Sequence, residues 1–135
     1  MRDLFDDHID PFDEVDELDW DDAFDHYQDD AETFAIYNYP LIYPALGLVG
    51  EAGEVAEKVK KLVRDQKFEV GSYPEGFISE EDSQKIAHEL GDVLWFISAI
   101  ASDLGLRLSD IANQNLEKLE DRKRRNIIQG SGDNR

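Results

Sequence analysis

One segment near the middle of this chain of 135 residues restricts the fold more than any other. Residues 93–101 (VLWFISAIA) are apolar nearly all round a helix, whereas a surface helix shows a single apolar stripe. A capping pattern at Ser79-Glu-Glu-Asp82 begins this helix, and Gly105 is a natural residue to follow its end. We therefore expect the helix to lie at the centre of a helix bundle or in a subunit interface.

Three other stretches have helical apolar spacing, and no stretch shows the two-residue period of a strand. The first helix is predicted over about 21–37 and the second over about 43–64. The central helix follows, and the fourth is predicted over about 110–126 with Ser109 as its N-cap. The predicted fold class is all-α.

The length and composition predict one domain over residues 19–128, preceded by an acidic arm at 1–18 and followed by a flexible tail at 129–135. The net charge of −18 argues against stable binding to nucleic acid or to anionic membranes. The absence of cysteine excludes disulfides and thiolate metal sites. No apolar run approaches the ~20 residues of a membrane span, so we expect a cytoplasmic protein.

Two acidic motifs are the strongest functional signal. In Glu51-Ala-Gly-Glu54 and in Glu89-Leu-Gly-Asp92, two carboxylates lie three positions apart and therefore share one helix face. Like charges at this spacing repel, so each pair favours a bound cation. Carboxylate oxygens are hard ligands, which favour Mg²⁺ or Mn²⁺ and leave positions for water and phosphate.

Acidic pairs on helices are more often simply solvated, but both motifs enclose a glycine, which costs ~1 kcal/mol in a helix. We expect Gly53 and Gly91 to allow a close helix–helix approach beside the carboxylates. A di-iron site would need histidine three residues after glutamate on two helices. The chain lacks this pattern, since His88 directly precedes Glu89. Di-iron chemistry is therefore not expected.

Five further residues are candidates for substrate binding. Asn115, Lys118 and Arg122 lie about one helical turn apart and suit phosphate oxygens, although basic residues also favour the end of a helix dipole. Trp95, one turn beyond Asp92, is a candidate to stack on a nucleobase, with a core position as the alternative. Lys58 is the fifth.

Three runs of sequence together resemble the MazG-like nucleotide pyrophosphohydrolases, in particular small phage-type members. They are Leu48-Val-Gly-Glu-Ala-Gly-Glu-Val-Ala-Glu-Lys58, Glu89-Leu-Gly-Asp-Val-Leu-Trp95 and Asn115-Leu-Glu-Lys-Leu-Glu-Asp-Arg122. The resemblance implies a bundle of four to five helices completed by dimerisation, as a dimer or a dimer of dimers. It also implies two or three Mg²⁺ or Mn²⁺ ions per site, which in this chain would be held by Glu51, Glu54, Glu89 and Asp92.

The function expected from this resemblance is cleavage of a nucleoside triphosphate to the monophosphate and pyrophosphate, with a preference for a purine such as dGTP or GTP. One of the four carboxylates would accept the proton of the attacking water. Gly50 departs from the family, because many members have a glutamate directly before the first motif. Two alternatives are a non-catalytic acidic protein that mimics nucleic acid and a phosphoribosyl-ATP pyrophosphohydrolase.

Overall fold

The computed structural model describes residues 19–68 and 78–125, which contain four helices. The helices are α1 (Trp20–Glu32), α2 (Ile42–Arg64), α3 (Glu80–Asp103) and α4 (Leu108–Arg124). The described part of the chain contains no strand, so the all-α prediction is confirmed. The predicted arm, the tail and part of the predicted loop lie outside the described residues.

The central position expected for the third helix is confirmed. Helix α3 packs against each of the other three helices, and α4 also packs along α1. Within the described ranges, α2 contacts no helix other than α3. Small residues of α3 are buried at the crossing, namely Ser98, Ala99 and Ala101. None of the described helices is long and apolar enough to cross a membrane.

Both ends of α3 form as their local sequence predicts. The Ser79 hydroxyl accepts a hydrogen bond from the Asp82 backbone N–H at 3.1 Å and donates one to the Asp82 carboxylate at 3.0 Å. At the other end, Gly105 takes a φ of +69°, and the Leu106 N–H bonds back to the Ala101 carbonyl at 2.9 Å. This left-handed turn needs a glycine, so these caps fix the length of the central helix.

Helix α1 ends five residues earlier than predicted. After Glu32 the chain tightens, because the N–H groups of Phe34 and Ala35 bond to carbonyls only three residues back. The Thr33 hydroxyl also donates to the carbonyl oxygen of Asp30 at 2.6 Å. Residues 33–41 therefore form a connector between α1 and α2.

This connector is fixed by a carboxylate from the end of α3. Asp103 accepts hydrogen bonds from the Tyr37 hydroxyl at 3.0 Å and from the Leu41 backbone N–H at 2.6 Å. Leu41 adopts a φ of +64°, which is unfavourable for a side chain with a Cβ. The charged hydrogen bond to Asp103 offsets part of that strain and fixes the point at which α2 begins.

The predicted N-cap of α4 is wrong, because α4 begins at Leu108 and Ser109 lies inside its first turn. The free N–H groups of that turn are bonded by α1 instead. Gln28 accepts from the Leu108 N–H at 2.7 Å, and Asp25 accepts from the Ser109 N–H at 3.2 Å. Capping from another helix explains why a local search for a cap chose the wrong residue.

The glycines inside the acidic motifs do not have the packing role expected of them. A Cβ added at Gly53 or Gly91 would meet no atom of the described chain within 4 Å. The close approach occurs at Gly47, where an added Cβ would overlap the ring of Phe96 on α3. A close contact between α2 and α3 therefore lies one turn before the first carboxylate, Glu51.

Candidate metal centre and nucleotide site

Three of the four predicted metal-binding carboxylates converge. Glu51 on α2 and both Glu89 and Asp92 on α3 each offer an oxygen, and these oxygens lie within 4.8 Å of one another. The two helices run antiparallel, since Gly47 faces Phe96 near one end and Lys67 pairs with Asp82 near the other. This register places the first motif opposite the second, as the spacing predicts.

The donor set of this carboxylate cluster fits a hard divalent cation. Three carboxylates at such short range repel one another, and the cation that lies beside them is the ammonium of Lys58. Its Nζ is 3.1 Å from Glu89 Oε1, and the Glu89 side chain is largely buried. One ammonium leaves the cluster with a net negative charge, which an oxygen-preferring ion such as Mg²⁺ or Mn²⁺ can neutralise.

Glu54 lies outside this cluster. Its side chain is exposed, three residues along α2 from Glu51, and it does not share the 4.8 Å grouping. Because a glutamate side chain has three rotatable bonds, exposure leaves it free to turn toward an ion held by its neighbours. Its role as a metal ligand therefore stays a prediction.

Tyr27 on α1 lies near enough to the carboxylate cluster to be affected by its charge, and no sequence pattern indicated it. Burial raises the pKa of the Tyr27 hydroxyl above its usual value, and the negative charge of Asp92 raises it further. Both effects keep the phenol protonated, so that it can act only as a neutral hydrogen-bonding group.

Trp95 has a structural contact and also borders a pocket. Its indole Nε1 donates to the carbonyl oxygen of Ala31 at 3.2 Å, and its ring meets those of Tyr37 and Phe96 edge-on. A free indole platform is therefore not what the structure shows. The ring is nevertheless half-buried rather than enclosed.

The pocket beside Trp95 was not predicted. It has a volume of about 500 Å³ and is formed mainly by the α1–α2 connector, with Phe34, Ile36, Tyr37, Asn38, Tyr39, Tyr43 and Trp95 as its lining. The rings of Tyr37 and Tyr43 stack within it, with centroids 5.2 Å apart. The high aromatic content of this connector was the only sequence feature that could have indicated the pocket. The shape of the pocket, however, depends on Asp103, which lies far along the chain.

A second cavity system extends from the carboxylate cluster in the opposite direction along α3. A groove of about 260 Å³ lies between the C-terminal half of α2 and the N-terminal half of α3. Four lysines border it, and we call it the lysine groove: Lys58, Lys61, Lys67 and Lys85. An adjoining pocket of about 670 Å³ includes Lys58, Lys85 and Glu89, so the groove is continuous with the carboxylate cluster.

The predicted phosphate-binding residues lie on α4, which does not contact α2. Asn115 and Lys118 are exposed, and Arg122 is half-buried. The Arg122 Nε is enclosed and has no hydrogen-bond partner within residues 19–68 and 78–125. Helix α4 does contact α3, which carries Glu89 and Asp92. The role of Asn115, Lys118 and Arg122 therefore stays a prediction.

Comparison with known proteins agrees with this geometry. Residues 44–126, which include the carboxylate cluster and α4 as far as its end, match the MazG nucleotide pyrophosphohydrolase domain. The chain is also 47% identical over 95 residues to Gene 37 protein of Mycobacterium phage L5, across 70% of this chain and 76% of that protein. The similarity to this phage protein is consistent with the prediction that the chain is a small phage-type member of the family. No solved structure matches the chain. The chain therefore belongs to the MazG nucleotide pyrophosphohydrolase family.

Proposed function

We propose that this protein is a metal-dependent nucleoside triphosphate pyrophosphohydrolase that releases the monophosphate and pyrophosphate. The observation that carries the proposal is the convergence of Glu51, Glu89 and Asp92 within a domain of this family. The cluster offers negatively charged oxygens beside two pockets, which is the arrangement that a metal–phosphate complex requires.

We assign Glu51, Glu89 and Asp92 as the ligands that hold the ions, with Glu54 turning in as a fourth. When bound, Mg²⁺ or Mn²⁺ supplies Lewis-acid activation of the attacking water and neutralises phosphate charge. Glu54 lies one turn from Glu51 on α2, and one of these two carboxylates accepts the proton of that water through an oxygen that does not hold an ion. The Lys58 ammonium, now beside Glu89, then becomes available to a phosphate oxygen.

We propose that the pocket in the connector takes the nucleobase. Its aromatic lining suits a flat ring, and the Asn38 amide supplies both a donor and an acceptor at its edge. A volume of about 500 Å³ has room for a purine, which agrees with the preference for dGTP or GTP that the family resemblance implies. Trp95 contributes a ring edge to this pocket rather than a stacking surface.

We also propose a homodimer, or a dimer of dimers. Because α2 contacts only α3 among the described helices, its other face is open. That face carries exposed apolar residues at three- and four-residue steps, including Ile42, Leu46 and Val49, the last two at 70% and 71% exposure.

Light scattering should show an oligomer. Leu46→Glu should yield monomers, and a wild-type protein that is monomeric would contradict the proposal.

The test of the activity is incubation with each of the common ribo- and deoxynucleoside triphosphates and Mg²⁺ or Mn²⁺. The products should be the monophosphate and pyrophosphate. Glu89→Gln should lower turnover by about 100-fold or more, because loss of a ligand costs at least as much as loss of its outer partners. Glu120→Gln on α4 makes the same chemical change at an exposed site and should leave turnover unchanged. Release of single phosphates would contradict the proposal.

A further inference from the structure

We propose that the β- and γ-phosphates of the substrate bind in the lysine groove, so that the nucleotide lies along α3 with its base near Trp95. The inference rests on the proposed function for the class of ligand, and it deepens that function by placing the leaving group. It differs from the sequence prediction, which assigned the phosphates to α4.

The first observation is that four functional positions share one face of α3. Counting back from Trp95, Asp92 and Glu89 follow at steps of three, and Lys85 follows at a step of four. Residues at these spacings lie above one another on a helix. With a rise of 1.5 Å per residue, Trp95 and Lys85 are about 15 Å apart along the axis. Aromatic, anionic and cationic groups are thus arranged in the order of a base, metal-bound phosphate and terminal phosphates.

The second observation is that the lysine groove begins at the carboxylate cluster. Lys58 borders the groove, and its Nζ is also 3.1 Å from Glu89 Oε1. A phosphate that left an ion held by Glu89 would therefore meet Lys58 first. Lys61, one turn further along α2, borders the same groove. The lysines of the groove therefore differ from lysines scattered over the surface, because the groove adjoins the carboxylate cluster.

The third observation is the charge of the groove. Four lysines border it against two aspartates, Asp65 and Asp82, in a protein whose net charge is −18. Lys67 and Lys85 each pair with Asp82, at 3.4 and 3.3 Å, and the Asp82 carboxylate is largely buried whereas both ammonium groups are about half exposed. The exposed side of each ammonium is therefore open to a second anion in the groove while its pair with Asp82 remains.

The basic end of α4 fits this role less well. Helix α4 packs mainly against α1 and contacts α3 to a lesser extent, and it makes no contact with α2, on which Glu51 lies. Hydrogen bonds from the first turn of α4 to Gln28 and Asp25 hold that turn against α1. Lys118 and Arg122 lie two to three turns further along α4. A triphosphate bound at the cluster of the same chain has the lysine groove beside it.

The test is calorimetric binding of inorganic pyrophosphate, with Mg²⁺ and separately with a chelator, to the full chain and to single variants. Lys61→Met and Lys85→Met should each weaken binding by about tenfold, since one charge-assisted hydrogen bond is lost. Lys123→Met, an equal charge change on α4 outside the groove, should leave binding unchanged. Affinity for the nucleoside monophosphate should not change in Lys61→Met or Lys85→Met. Circular dichroism confirms that the variants are folded.

Two results would overturn the inference. One is wild-type protein that binds no pyrophosphate under either condition. The other is a loss of affinity in Lys118→Met with none in Lys61→Met and Lys85→Met. Failure of this inference can be distinguished from failure of the proposed function, because the binding assay does not depend on hydrolysis. Pyrophosphate bound through Lys61 and Lys85, in a protein that cleaves no nucleotide, would uphold the groove and reject the activity.

Discussion

Replacement of Gly47 by alanine tests the packing that brings the two acidic motifs together. An added Cβ would overlap the Phe96 ring, and even the third-nearest ring atom, Cδ1, would be 2.8 Å away. Two other ring atoms would be closer still. Because ordinary carbon contacts are about 3.5–4.0 Å, the ring would have to retreat by more than about 1 Å. The ring is not free to do so, because it lies edge-on to Trp95 at 4.9 Å and near Tyr43 at 6.3 Å.

The expected magnitude follows from two opposing effects. Overpacking costs about 1–3 kcal/mol, whereas replacing glycine by alanine inside a helix gains about 1 kcal/mol. Since three ring atoms lie within 3.0 Å of the added Cβ, the overpacking cost belongs at the upper end, about 2–3 kcal/mol, and Gly47→Ala should lower the free energy of unfolding by about 1–2 kcal/mol. Gly91→Ala is the matched control, because an added Cβ there meets nothing in the described chain within 4 Å. It should raise the free energy of unfolding by up to about 1 kcal/mol.

The assay is urea unfolding followed by circular dichroism at fixed protein concentration, because an oligomer makes stability depend on concentration. The two alanine variants should differ from wild type in opposite directions with similar m-values. If Gly47→Ala were as stable as wild type or more stable, the close contact with Phe96 would be refuted, and with it the register that places Glu51 beside Asp92.

Three further predictions follow from individual contacts. The pKa of Tyr37 is raised to about 12 by burial and by Asp103, so its contribution to stability is complete below pH 10 and is lost as the pH rises from 10 to 12. The loss of stability over this range should be larger in wild type than in Tyr37→Phe, which retains only the smaller effect of Tyr27. Ser79→Ala should cost about 1 kcal/mol in urea unfolding through loss of the N-cap, and an unchanged midpoint would contradict that role. Lys58→Met should bind Mn²⁺ about fivefold more tightly by calorimetry, because a competing unit charge near Glu89 contributes about 1 kcal/mol in water. Equal Mn²⁺ affinity would show that the ammonium does not oppose the ion.

The parts of the fold that could be predicted are those encoded by local sequence. The Ser79 cap, the turn at Gly105 and the apolar centre of α3 depend on residues a few positions apart, and all three are confirmed. The start of α4 could not be predicted in this way. Its cap comes from Gln28 and Asp25, about 80 residues earlier in the chain.

In the candidate site, too, the features that local sequence encodes were predictable and those that depend on distant contacts were not. Glu51, Glu89 and Asp92 were predictable, because periodicity alone places each motif on one face and an antiparallel helix pair brings the faces together. The pocket in the connector was not, since its shape depends on Asp103 bonding to Tyr37 and to the strained Leu41. Those contacts join residues more than sixty positions apart. A local pattern carries no information about them.

The most direct test of the central claim is hydrolysis of a nucleoside triphosphate in oxygen-18-labelled water with Mg²⁺. The carboxylate cluster is proposed to direct water to the α-phosphorus, so that the bond to the pyrophosphate leaving group breaks. Mass spectrometry of the products should therefore find the label in the monophosphate and none in pyrophosphate. Label in pyrophosphate would place the attack on the β-phosphorus and contradict the proposed mechanism, and labelled single phosphate would contradict the activity itself.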